Sequence, residues 1–125
     1  MSNYYFKHDQ GARNDPKIRA MINKYGLEGY GRFWVVVEMM RENSKYKLED
    51  KDFVWEAIAE NFKSDISQAR AFVNDCINKY ELFIMDDGFF YSPALLSRMV
   101  KLDEIRRKRV YAADIRHGNR ERWDE

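Results

Sequence analysis

Three groups of residues have the types and spacing to do chemistry. Gly26, Gly29 and Gly31 crowd into YGLEGYGRFW at residues 25–34, and clustered glycines are what a phosphate-cradling loop needs. Ser67, Gln68, Asn74 and Asn78 fall within ISQARAFVNDCINKY; amides suit adenine edges and hydroxyls bind bases or phosphates. The run Arg106, Arg107, Lys108, Arg109 could hold several phosphates at once.

The phosphate chemistry fails on three counts. Arg32-Phe33 follows the last glycine where a P-loop needs Lys-Ser/Thr. A helical pattern precedes the stretch where a dinucleotide fingerprint needs a strand. The spacing is GxxGxG, the reverse of GxGxxG. The remaining polar groups also read as structural. His8-Asp9 with Arg13, Asn14 and Asp15 has one histidine, with His117 far away, and a metal site would want more. Capping and salt bridging of the first helix explain that cluster. Cys76 lies on an apolar stripe and packs, and Asp86-Asp87 are turn formers. No Ser/His/Asp arrangement is legible. No catalytic residue, metal or cofactor is expected, and the protein is not expected to be an enzyme.

The candidate residues need elements to position them. RNDPKIRAMINKYG reads as a short helix, with Asp15 as cap, Pro16 in the first turn and Ile18, Met21, Ile22 and Tyr25 on one face. Gly26 sits where a left-handed residue would close it. LEGYGRFWVVVEMMRENS repeats apolar residues at Leu27, Tyr30, Phe33, Trp34, Val37 and Met40, with Val35, Val36 and Met39 on the other side. The pattern is too long for a strand and predicts a central helix. Gly29 and Gly31 then lie in its first turns at a cost of about 1 kcal/mol each relative to Ala, which a close neighbouring backbone would justify.

Tyr46–Leu48 reads as a short strand. A helix opens at Glu49–Asp52 with Phe53, Val54, Ala57, Ile58 and Phe62 as its apolar set. After the corner Lys63-Ser64-Asp65, a further helix buries Ile66, Ala69, Val73, Cys76, Ile77 and Tyr80. Its opposite face shows Ser67, Gln68, Ala71, Asn74, Asp75 and Asn78, with Arg70 and Phe72 on the flanks. Leu82–Asp86 and Phe89–Tyr91 are rich in β formers around Asp87-Gly88, a strong hairpin signal because both turn residues must take positive φ. From Pro93 one long helix runs on a narrow stripe of Leu95, Met99, Leu102 and Ile105. Gly118 would end it and NRERWDE would fray.

Charge is distributed unevenly. Residues 1–97 carry 13 Lys/Arg against 15 Asp/Glu, net −2, and residues 98–122 carry 9 against 4, net +5. A basic tail either contacts a polyanion or is a solvated helix face. A chain of 125 residues, 45% apolar and 34% charged, suits one domain with a real core. We divide it into a winged-helix body at 1–97 and a basic helix with its tail at 98–125. No apolar run approaches the ~18 residues of a membrane span, and MSNYYFKHDQ lacks the pattern of a signal peptide. The single cysteine fits a reducing cytosol, so a cytoplasmic protein without membrane association is expected.

Two short-linked helices followed by a β-hairpin define a mostly α fold with a small sheet. We read it as a winged helix-turn-helix with an extra N-terminal helix and a long C-terminal helix. Residues 66–80 occupy the recognition position and the hairpin is the wing. HDQGARNDPKI, KYGLEGYGRFW, KYELFIMDDGFFYS and RMVKLDEIRRKR resemble the winged-helix N-terminal domain of phage replisome-organiser and DnaD-like replication-initiation proteins. That resemblance covers about residues 4 to 109. It implies binding of origin DNA, self-association and recruitment of the replicative helicase or its loader in a bacterial host cell. A second helical domain often follows in such proteins, and this sequence shows no counterpart. VYAADIRHGNRERWDE departs from the Gly- and Ser-rich tail usual there.

The DNA-binding set expected on this reading is Ser67, Gln68, Asn74 and Asn78 for bases, with Lys63, Arg70 and Arg106–Arg109 for phosphates; Lys79 could flank them. Asp75 and the wing-tip pair Asp86-Asp87 oppose it. An alternative is a protein-interaction or oligomerisation module working through Tyr4-Tyr5-Phe6 and the long C-terminal helix. A transcriptional regulator would use the same fold.

Overall fold

A computed structural model of the chain describes residues 12–124, with side chains as far as Ile115. Helix α1 spans Pro16–Glu42. The Asp15 carboxylate caps it, accepting from the N–H groups of Lys17 at 2.8 Å and Ile18 at 3.3 Å. Gly26 divides α1 into two limbs at φ 73°, ψ −167°, a region essentially confined to glycine. The two expected helices are these limbs. The junction is a kink of positive φ and extended ψ, where a left-handed closure was expected. Val36 is fully buried with Phe33 and Met40, while Leu27, expected on the apolar stripe, stands 76% exposed at the corner.

Strand β1 is Leu48–Glu49, and α2 follows at Asp52–Phe62. The buried face of α2 is Trp55, Ile58 and Ala59, whereas Phe53, expected in the core, is exposed. Trp55 displaces it because its ring stacks on Phe90 at 5.0 Å while its indole N–H donates to Asp50 at 2.8 Å. Helix α3 is Ile66–Asn78, β2 is Ile84–Asp86 and β3 is Phe89–Tyr91. The sheet is antiparallel in the order β1-β3-β2, with Leu48 opposite Phe90 and Asp86 opposite Phe89. Asp87 at φ 53° and Gly88 at φ 78° turn the hairpin, both positive as the two-residue turn demands.

Helix α4 spans Pro93–Asp124, about 48 Å at the standard rise. The Ser92 hydroxyl accepts from the Leu95 N–H at 3.1 Å and caps its start. It continues through Gly118, where a stop was expected, and takes in residues expected to fray. One glycine costs only about 1 kcal/mol in a helix interior, which does not end a helix by itself. The division expected after residue 97 falls inside α4, whose Leu95 and Met99 are core residues. Ile105, expected on the same stripe, is 44% exposed because the core ends one turn earlier. The core joins both limbs of α1, α2, α3, the sheet and the start of α4, with Phe33 stacked on Phe83 at 5.5 Å. The result is a mostly helical domain with one small sheet, in the element and strand order of a winged helix-turn-helix.

Candidate nucleic-acid interface

The corner between α2 and α3 sets the direction of α3. Lys63 closes α2 in the left-handed conformation at φ 55°, and the Ser64 N–H returns to the Ala59 carbonyl at 3.0 Å. Asp65 then caps α3, accepting from the Gln68 N–H at 2.7 Å. The inward face of α3 is Ala69, Phe72, Val73 and Cys76. Phe72, expected on the flank, is fully buried between Tyr25 and Phe62, with ring centroids at 5.0 and 5.7 Å. Ile66, expected inside, is 36% exposed in the first turn.

With that face inward, Ser67, Gln68, Ala71, Asn74 and Asn78 are all exposed. Ser67, Ala71, Asn74 and Asn78 form one row at helical spacing. Lys63 and Lys79 flank the two ends of the helix, and both are exposed.

The two charged residues expected beside this face are turned to other work. Arg70 contacts Asp52 at 3.3 Å and Asp50 at 3.9 Å, and its guanidinium lies 4.9 Å from the centre of the Trp55 ring. It fastens α3 to the start of α2. Asp75 points back to α1, where the Tyr25 hydroxyl and the Lys24 ammonium both donate to it, the latter at 2.9 Å. These two hydrogen bonds, Tyr25's first, hold the Asp75 carboxyl below its usual range. Burial, and then the bond to Asp75, push the Tyr25 hydroxyl up to about 12. The Cys76 thiol is pushed up by burial, which makes it a packing residue and a poor nucleophile.

At the β2–β3 turn, Asp86 and Asp87 are exposed, and the Gly88 carbonyl accepts from the Asp50 N–H at 2.8 Å, so the tip is tied to the link between β1 and α2. Arg106, Arg107, Lys108 and Arg109 lie on the free part of α4. From Glu104 to Ile115 every side chain except Ala113 is exposed. Four consecutive helical residues step about 100° each, so this charge faces all directions. Arg106 and Lys108 bridge Asp103 and Glu104 at 3.6 and 3.3 Å. Exposed pairs of this kind are weak and readily exchanged.

The structure thus gathers Ser67, Gln68, Asn74 and Asn78 on one face between Lys63 and Lys79, holds Arg70 to one side, and carries Arg106–Arg109 on a separate arm. Ala71 completes the row. The Tyr25–Lys24–Asp75 cluster was not legible in the sequence, since its members lie about fifty residues apart. Nor was a cavity of about 210 Å3 between α1 and α4, floored by Trp34, Val37 and Met99 with Arg41 and Arg98 among its lining. Tyr4-Tyr5-Phe6, His8-Asp9 and the His117 side chain lie outside the described residues; Arg13 and Asn14 form a short 3-10 turn before α1. Among the described residues no three His, Cys, Asp or Glu side chains gather as metal ligands, and no helix is long and apolar enough to cross a membrane.

Fold and surface together define a small, mostly helical domain with a three-stranded sheet, an uncharged polar face on α3 and a basic helical arm. The chain belongs to the Lin1244/Lin1753-like N-terminal family, whose model matches residues 5–95. That span takes in α1 to α3 and the hairpin and stops where α4 begins. No curated protein and no solved structure matches the chain.

Proposed function

We propose that this domain binds double-stranded DNA, with α3 in the major groove and the basic arm of α4 on the backbone, in phage or prophage replication initiation. One observation carries the reading: the outward face of α3 presents Ser67, Gln68, Asn74 and Asn78 around Ala71, with Asp75 bonded back to α1 and Arg70 lying to one side against Asp52 and the Trp55 ring. A solvated helix needs polarity but does not need both neighbouring charges withdrawn. The replication context rests on the resemblance to DnaD-like and replisome-organiser domains.

The test is fluorescence anisotropy of the full chain on random and phage-origin duplexes at two salt concentrations. Binding should weaken with salt, and Arg106–Arg109→Ala should flatten the dependence by about 0.9 in slope for each phosphate that is no longer neutralised. Absence of binding at low salt would remove the reading.

A second reading, a module that docks or oligomerises with a replication partner, is favoured by the cavity between α1 and α4 and by Val110 and Tyr111, exposed at 57% and 68% on the arm. On that reading Arg106–Arg109→Ala leaves partner binding intact.

A further inference from the structure

Resting on the DNA-binding reading, we propose that α3 selects A·T-rich duplex, with Gln68, Asn74 and Asn78 supplying adenine contacts and Ala71 packing on thymine methyl groups. Each base asks for a particular kind of side chain in the major groove. Guanine offers two acceptors and is read by Arg or Lys. Cytosine offers an amino donor and is read by Asp or Glu. Adenine offers one donor and one acceptor, which a carboxamide matches with both of its ends. Thymine offers a methyl group to a small apolar side chain.

Against that code the exposed face of α3 is one-sided. Its residues are Ser67, Gln68, Ala71, Asn74 and Asn78: three carboxamides, one methyl and one hydroxyl that suits any base. The guanine reader in the sequence, Arg70, is held by Asp52 and Asp50 and lies against the Trp55 ring. Turning it outward would leave those contacts unmade. The cytosine reader, Asp75, is held by Tyr25 and Lys24. The remaining cations flank the row. Lys63 sits in the turn before α3, and Lys79 follows the last helical residue with its ammonium 5.5 Å from the Tyr80 ring centre. Both are placed to meet phosphate, which carries no sequence information.

The experiment compares the full chain on two duplexes of equal length, one of mixed A·T pairs and one of mixed G·C pairs, by anisotropy at two salt concentrations. The A·T duplex should bind about tenfold tighter, with the same salt slope for both. The triple variant Gln68→Ala, Asn74→Ala, Asn78→Ala changes only exposed side chains. It should keep its circular dichroism and thermal midpoint and bind the two duplexes equally. Asn74→Arg should raise affinity for the G·C duplex. Equal wild-type affinities with an intact salt slope would overturn the selection and leave DNA binding standing. An A·T preference that survives the triple variant would overturn the assignment to α3. No binding to either duplex would remove the DNA-binding reading and this inference with it.

Discussion

Gly29 and Gly31 sit two residues apart in one helix and look equivalent in the sequence, yet they are held by opposite circumstances. Gly29 is buried, and a Cβ there would collide with the Cβ of Tyr25 and press on the Met21 sulfur at 3.2 Å. The close neighbour is a side chain drawn in by the kink at Gly26, where an approaching backbone was expected. Gly31 faces open space, with nothing within 4 Å of an added Cβ. Gly31→Ala should therefore raise stability by about 1 kcal/mol through helix propensity. Gly29→Ala should lower it by roughly 1–3 kcal/mol through overpacking. Urea unfolding of the two variants checks both signs; a stabilising Gly29→Ala would mean that Tyr25 is free to move. The sequence excluded a phosphate loop because motif spacing is local information. It did not separate the two glycines, because crowding depends on what the kink folds inward.

Between elements, Tyr25 and Lys24 of α1 are tied to Asp75 of α3. The contribution of this tie depends on pH in a definite direction. The folded-state pKa of Asp75 is depressed, so that part of the stability is present above the unfolded value of about 3.9 and is lost as pH falls through the folded one. The pKa of Tyr25 is raised to about 12, so its part is present below the unfolded value of about 10 and is lost as pH rises towards 12. Tyr25→Phe should cost about 1 kcal/mol at neutral pH. The gap from wild type should shrink below about pH 4 and again above about pH 10. Denaturation midpoints across that range test this, and a gap independent of pH would deny the hydrogen bond its role. Element existence was legible: periodicity, the Asp15 cap and Asp87-Gly88 located the helices and the hairpin. The orientation of α3 was legible only in outline. Phe72 and Ile66 exchanged places because the aromatic ring fills the gap between Tyr25 and Phe62, while the first turn projects past the core.

For the molecule as a whole, the division that counts is between a packed body and a projecting arm, and it falls within α4. Among the described residues, the last inward contacts on this helix come from Leu102, which packs against the core, and from Asp103, which accepts from the Tyr46 hydroxyl at 2.7 Å. A chain truncated after Ile105 should lose only the helical ellipticity of the removed arm and melt within about 4 °C of the full chain, since exposed residues contribute little to stability. On the proposed DNA-binding function it should also lose most of the low-salt affinity for duplex. A collapse of the melting transition would show that the arm belongs to the body.

The amino-acid sequence alone determined the element types and order, the turn between β2 and β3, and the concentration of positive charge after residue 97, because each is written in neighbouring residues. Tertiary structure alone decided that Arg70 and Asp75 are occupied, that Trp55 replaces Phe53 in the core, and that α4 leaves the body after its third turn. Those outcomes rest on contacts between distant segments, which no local pattern of residues records.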